Sequence, residues 1–180
     1  MKIIYLVRHG QKIKEIGDPG LTQLGIEQAK LAGKFLSQFP INYIFSSPLK
    51  RTVETAIHIS KILNLNHQID DDLTERMNWS DPKISKDEFI QEWIESSNNR
   101  SYIPKFGDSS LITGSRIERL INKVPEESHI LLVSHGGAIV DYLRNVFGDH
   151  KLNKLRSQFD YGMDYKMHNC SINCVTLDAN

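Results

Sequence analysis

Apolar and polar positions along the chain change period several times, and each change marks an element. Ile3 to Val7 is a continuous apolar and β-branched run, the pattern of a strand buried on both faces as in parallel sheets flanked by helices. It ends at Arg8-His9-Gly10. After a polar stretch bearing Gly and Pro, Thr22 is placed to cap a helix whose Leu24, Ala29, Leu31, Ala32, Phe35 and Leu36 mostly share one face, and Pro40 stops it. Tyr43 to Phe45 then predicts a short strand, leading through Ser46-Ser47-Pro48 into a helix from Lys50 to Leu63 with Pro near its first turn.

The second half repeats the alternation. Gln68-Ile69 is a weak third strand before an acidic turn, and Ser85 followed by Glu88 has capping-box spacing for a helix over Lys86 to Ser97. Asn98 to Asp108 reads as loop. Leu111, Ile112, Ile117, Leu120 and Ile121 give an amphipathic helix over Ser110 to Lys123, closed by Pro125. His129 to Ser134 is the second strong strand and runs into His135-Gly136-Gly137 and a helix carrying Ala138, Ile139, Leu143 and Val146. Ser171 to Leu177 alternates, as a strand at a sheet edge or in an antiparallel pair does. With no internal repeat or linker, the expectation is an α/β fold in a single domain over 1–180: a three-layer α/β/α sandwich with a mostly parallel central sheet, one antiparallel edge strand, and a cap-like insertion at about 72–108.

Composition narrows the classes of function. At 180 residues and 39% hydrophobic, the chain can bury on the order of 70% of the surface its unfolded form exposes, and it needs no covalent staples. Two cysteines, Cys170 and Cys174, are too few for a secreted disulfide scaffold, so a cytoplasmic setting is expected. Read at i and i+4 in one strand, they would stand about 13 Å apart and could not be bridged. The 22 basic and 22 acidic residues cancel and are not segregated, which argues against a broad nucleic-acid face; the first apolar run is far short of the roughly 20 residues a membrane span needs. Asp70-Asp71-Asp72 reads as a solvated turn, and no spacing predicts a metal site or cofactor.

The chemistry lies where the strong strands end. In an open α/β sheet, ligands bind at the C-terminal ends of the strands. Three strands end in Arg8-His9-Gly10, Ser46-Ser47-Pro48-Leu49-Lys50-Arg51 and Ser134-His135-Gly136-Gly137, which would bring two histidines and two arginines to one crevice. Such a set suits a phosphoryl group: two guanidiniums supply forked donors, one neutral imidazole attacks phosphorus, and the other hydrogen-bonds a third oxygen. Nearby guanidiniums favour a neutral His9. Gly10 and Gly136 would let backbone approach an oxyanion. Glu75, in the insertion, is the candidate proton donor to the leaving alkoxide.

The motifs carry a resemblance. Leu6-Val7-Arg8-His9-Gly10, Leu21-Thr22-x-x-Gly25-x-x-Gln28-Ala29, Ser46-Ser47-Pro48-Leu49-x-Arg51-x-x-x-Thr55-Ala56, Leu73-x-Glu75 and Val133-Ser134-His135-Gly136-Gly137 occur in the order found in the histidine phosphatase superfamily (phosphoglycerate mutase-like), which this chain resembles over roughly residues 1–177. The resemblance implies a transient phosphohistidine on His9, a phosphate pocket of Arg8, Gly10, Arg51 and His135, and Glu75 as proton donor and later water activator. It also implies substrate contacts at Gln11, Thr22 and Arg76, with no metal and no cofactor. Phe106-Gly107-Asp108-Ser109 and Asn169-Cys170-Ser171-Ile172 resemble structural motifs of the same superfamily.

The departures bear on substrate. Gln11 is followed by Lys12-Ile13-Lys14 in place of the Thr and Asn that many members carry there, and Glu75-Arg76 continues Met77-Asn78-Trp79 where cofactor-dependent mutases have His-Tyr-Gly. Arg76 does match the mutase arginine that meets a substrate carboxylate, so a carboxylated phosphoester stays open. The expected function is a metal-independent phosphomonoesterase acting on a small phosphorylated metabolite, with no nucleic-acid or membrane partner. The alternatives are a phosphoglycerate mutase-type transfer and a phospho-ligand-binding module with little turnover. His58, His67, His129, His150 and His168 have no partner motif and read as structural or exposed, and Trp79 and Trp93 stand between crevice lining and core.

Overall fold

The computed structural model describes residues 1–157 and 167–178; the expected single unit over 1–180 includes residues outside these. Five strands, β1 (Lys2–Arg8), β2 (Tyr43–Ser46), β3 (Gln68–Ile69), β4 (His129–Ser134) and β5 (Ile172–Leu177), form one sheet in the order β3-β2-β4-β1-β5. All neighbours are parallel except β1 and β5, which pair antiparallel with Tyr5 opposite Cys174. The edge position expected for the alternating C-terminal segment is where β5 lies.

Helices cover both faces. Tyr5, Val7, Ile44, Leu131 and Val133 pack with Ala32 and Leu36 of α1 (Gln23–Leu36) and Ala56 and Ile59 of α2 (Lys50–Leu63). The alternate residues Ile4, Leu6, Phe45, Ile130 and Leu132 face Ile117, Leu120 and Ile121, and Ile139, Tyr142 and Leu143. These two groups lie on α4 (Ser110–Lys123) and α5 (Gly136–Phe147). Strands buried on both faces account for the uninterrupted apolar runs of β1 and β4. Between β3 and α4, a 3-10 turn (Asp71–Leu73) and α3 (Lys86–Asn98) make up the insertion, and α6 (Asp149–Ser157) follows α5.

Helix capping follows the expected residues at α1 and α3, and Ser109 adds a third cap at α4. The hydroxyls of Thr22, Ser85 and Ser109 accept from the N–H groups of Gly25, Glu88 and Ile112, starting α1, α3 and α4.

Three expectations are corrected. The apolar stripe expected on α1 splits: Ala29, Ala32 and Leu36 are buried with Gly25 and Gly33, whereas Leu24, Leu31 and Phe35 are 54%, 64% and 49% exposed. Close packing against α2 selects small residues, so side-chain size misassigned the face; Leu111 and Ile112 of α4 point outward in the same way. Asp72 is not solvated, since it is buried in ion pairs with Arg119 and Lys123 while Asp70 caps the 3-10 turn. Cys170 precedes β5 with φ 54°, so the two free cysteines do not share a strand.

Candidate active site

Sheet register brings the two histidines together. Arg8 lies opposite Ser134 on the adjacent parallel strands β1 and β4, so the next residues, His9 and His135, leave the sheet side by side, and their rings meet edge to face with centroids 5.3 Å apart. On the other side of β4, Ser46 pairs with Val133. That register sends Ser47 alongside His135, and its Oγ lies 2.8 Å from His135 Nε2.

His9 is 5% exposed and has a defined tautomer. Its Nδ1 lies 2.7 Å from the carbonyl oxygen of Gly10; a carbonyl only accepts, so Nδ1 carries the proton. The Nε2 lone pair accepts from Arg51 Nε at 3.2 Å. Burial first, then the charges of Arg51, Arg8 and Lys12, drive the imidazole pKa down to about 3, although the Gly10 contact opposes this. His135, wholly buried, is pushed well below the ordinary histidine range by burial and then by Arg51, His9 and Arg8. Both rings are therefore neutral at neutral pH.

The two arginines reach the crevice from opposite directions. Arg51, in the first turn of α2 and 4% exposed, donates from Nη2 to Asn78 Oδ1 at 3.3 Å, and its Nη1 lies 3.8 Å from Asp18 Oδ1. Arg8 donates from Nη1 to the Met167 carbonyl. Three buried nitrogens in this group, Arg8 Nε, Arg51 Nη1 and His135 Nδ1, have no hydrogen-bonding partner among the described residues. Buried polar nitrogens without partners are rare and costly, and such a cluster has the chemistry to receive an anion.

Glu75 enters from the insertion. Its carboxylate accepts from the N–H groups of Gly137 at 3.2 Å and Ala138 at 2.9 Å, at the positive end of α5 and one turn from His135. The approach is tight: a Cβ on Gly137 would come within 2.6 Å of both Glu75 Oε1 and the Trp93 ring edge.

The remaining expected site residues have other partners. Gly10 donates its N–H to Thr55 Oγ1 at 3.0 Å, and a Cβ there would fall 2.5 Å from the Gly25 carbonyl oxygen, so it holds the His9 loop against α1 and α2 instead of offering its N–H to phosphate. Gly136 would tolerate a Cβ, whose nearest neighbour is Arg8 Nε at 3.6 Å. Gln11 and Thr22 bond to each other, Oγ1 to Oε1 at 2.9 Å, and Thr22 also caps α1, so this pair braces the loop.

Arg76 lies farther inside than its motif implies. It is 3% exposed, stacks over the Trp93 ring at 4.2 Å, donates to Ser97 Oγ at 2.8 Å, and pairs with the buried carboxylate of Asp141 at 3.4 Å. Committed to those partners, the guanidinium faces the interior, where Asp141 also accepts from Ser110 Oγ at 2.6 Å and lies 3.9 Å from Arg144 Nη1. Asn78 is the site residue that the motifs did not single out: it receives Arg51 and donates from Nδ2 to the Gly17 carbonyl at 3.1 Å, joining the pocket to the loop after β1. Its position three residues after Glu75 was the available signal. Among the described residues, no three His, Cys, Asp or Glu side chains gather where they could hold a metal ion.

The model for the histidine phosphatase superfamily (branch 1) matches residues 4–180. The chain belongs to this superfamily. A chain of Hydrogenobacter thermophilus with the provisional name phosphoserine phosphatase 2 is 30% identical, the match covering 77% of this chain and 75% of that one. One of Proteus mirabilis, provisionally named phosphoglycerate mutase GpmB, is 27% identical over 96% of this chain and 83% of its own. Among solved structures, Bacillus stearothermophilus YhfR superposes with a TM-score of 0.74 at 22% identity, covering 99% of this chain and 92% of that one, which shows a shared fold. The mycobacterial glucosyl-3-phosphoglycerate phosphatase superposes with a TM-score of 0.71 at 23% identity over 96% and 88%. Among the described residues, no helix is long and apolar enough to cross a membrane.

Proposed function

We propose that the protein is a phosphomonoesterase that hydrolyses a small phosphorylated metabolite through a phosphohistidine on His9. One observation carries this: the Nδ1–H bond to Gly10 leaves the lone pair of a neutral imidazole on Nε2, among three buried nitrogens without acceptors among the described residues. In the first step Nε2 attacks phosphorus, the ester bond to the leaving oxygen breaks, and the Glu75 carboxyl gives that oxygen its proton. Arg51, which holds the lone pair when no ester is bound, transfers its donors to the phosphoryl oxygens together with Arg8 and His135. In the second step water attacks the phosphohistidine while the Glu75 carboxylate takes its proton, and inorganic phosphate leaves.

Residues 72–108 form the cap over this crevice and set the leaving group. Phosphatase names among relatives support hydrolysis; the solved mycobacterial relative is a glucosyl-3-phosphoglycerate phosphatase, and another, from Entamoeba histolytica, is a phosphoserine phosphatase bound to phosphoserine. The buried Arg76–Asp141 pair supports hydrolysis over a mutase, whose arginine would face a substrate carboxylate. A reducing, cytoplasmic setting completes the proposal, in keeping with two free thiols.

The decisive assay is phosphate release from an aryl phosphate and from alkyl phosphates in EDTA, with His9→Ala as the blank. Glu75→Gln is expected to slow alkyl esters by roughly 10²–10⁴-fold and aryl esters much less, since a phenolate leaves without a proton. Equal losses on both would remove Glu75 from the acid role, and turnover by His9→Ala at the wild-type rate would remove the phosphohistidine.

A further inference from the structure

We infer that Ser47 is a positioning residue: its hydroxyl donates to His135 Nε2 and so keeps the His135 proton on Nδ1, the nitrogen that meets the transferring phosphoryl group. This rests on the phosphatase reading and adds a residue to it. Two independent requirements give the bond its direction. Ser47 is fully buried, its Oγ already accepts from Leu49 N–H at 3.4 Å, and among the described residues its O–H has no other acceptor than His135 Nε2 at 2.8 Å. If Nε2 were the donor, that hydroxyl hydrogen would be left buried and unpaired, which costs more than the bond returns.

The second requirement comes from the ligand. A neutral imidazole has one N–H and one lone pair. With Nε2 protonated, the lone pair would sit on Nδ1, among the orphaned nitrogens of Arg8 and Arg51, and would repel phosphoryl oxygens. With Ser47 donating to Nε2, Nδ1–H joins Arg8 Nε and Arg51 Nη1 as a third donor to the phosphoryl group, and no proton needs to be taken from water to supply it. His9 shows the same logic mirrored: a backbone carbonyl puts its proton on Nδ1 and frees Nε2 for attack. The two neighbouring rings thus carry the same tautomer for opposite ends, a lone pair in one and a donor in the other, each chosen by the partner on its far nitrogen.

The test is a long-range ¹H–¹⁵N correlation spectrum of the ¹⁵N-histidine-labelled wild-type protein at neutral pH, with His135→Gln to assign the ring. A protonated Nδ1 and an unprotonated Nε2 on His135 are expected; the reverse tautomer overturns the inference, whether or not any substrate is turned over. In Ser47→Ala, whose fold is checked by its melting temperature, kcat for an aryl phosphate should fall on the order of ten- to a hundredfold, and the His135 proton should move to Nε2 or spread over both nitrogens. Wild-type turnover in Ser47→Ala would also overturn it. Absence of turnover in the wild type would count against the phosphatase reading alone, because the tautomer is read without substrate.

Discussion

The phosphate pocket and the cap meet at Glu75 but are built on opposite principles. In the pocket, each functional group leaves the end of a strand or enters the first turn of a helix, so sheet register and helix geometry set its position before any side chain is chosen: Arg8 against Ser134 places His9 beside His135. The cap has no strand of its own beyond the Met77–Gly107 bridge and is tied down by side chains. Arg76 runs from Trp93 and Ser97 of α3 to Asp141 of α5, Trp79 stacks on Phe89 at 5.7 Å, and Glu75 reaches the N-terminus of α5. The pocket is thus preorganised by backbone and the cap by an interior ion pair and aromatic packing. On the proposed function, that difference predicts that pocket substitutions act on rate and cap substitutions on specificity and stability.

Substitutions can break the comparison in graded steps. The largest effect is expected at His9: His9→Ala should lower kcat on any phosphate ester by roughly 10⁴-fold or more, measured against a blank without enzyme, because no other nucleophile is placed there. Arg51→Lys keeps the charge but loses the fork that spans His9 and Asn78, and a loss on the order of 10²–10³ in kcat/KM is expected, with the fold intact by circular dichroism.

Cap substitutions should invert the pattern. Arg76→Met takes the nearer of two arginines from the buried Asp141, which keeps Ser110 Oγ at 2.6 Å and Arg144 at 3.9 Å, and should cost about 3 kcal/mol in urea unfolding. The double variant Arg76→Met with Asp141→Leu should recover much of that; no recovery would mean that the pair does not act as a unit. Trp79→Ala, which removes the stack on Phe89 and the bond from Nε1 to the Ile84 carbonyl, should change KM for bulky esters several-fold and leave kcat for a small aryl phosphate within about twofold, as expected of a cap residue outside the His9 pocket.

The remaining effect is one of pH. Between pH 6.5 and about 3 the unfolded chain protonates a histidine that the folded chain keeps neutral at His9, so unfolding takes up a proton and stability falls as pH falls through that window. His135 acts in the same direction. Asp141, raised to about 6 by burial, acts in the opposite direction between its ordinary value of 3.8 and about 6. His9→Asn should therefore flatten the acid side of a stability profile by up to about 1.4 kcal/mol per pH unit, read from urea midpoints at successive pH values.

Much of the pocket was legible because its groups are punctuation. Arg8-His9-Gly10 and His135-Gly136-Gly137 stand where an apolar run stops, and a strand end in an α/β sheet is a ligand site whatever the rest of the chain does. The cap was not legible to the same degree. Arg76 carries the same letters as a substrate-binding arginine, and only the presence of Asp141, sixty-five residues later on a different helix, turns it inward. The outward face of α1 misled for a related reason: hydrophobicity marks an apolar side chain, but close approach between helices is decided by volume, and Gly25, Ala29, Ala32 and Gly33 outcompeted Leu24, Leu31 and Phe35 for the interior.

By itself the sequence determined the order of strands and helices, the caps that start α1 and α3, and the identity of the groups at the strand ends, because each depends on neighbours a few residues apart. Tertiary structure alone decided which nitrogen of each histidine carries its proton, that Gly10, Gln11 and Thr22 brace a loop, and that Arg76 faces the core. Those outcomes depend on strand order, on register, and on buried partners distant in the chain, all of which are set when the sheet and its helices close around one another.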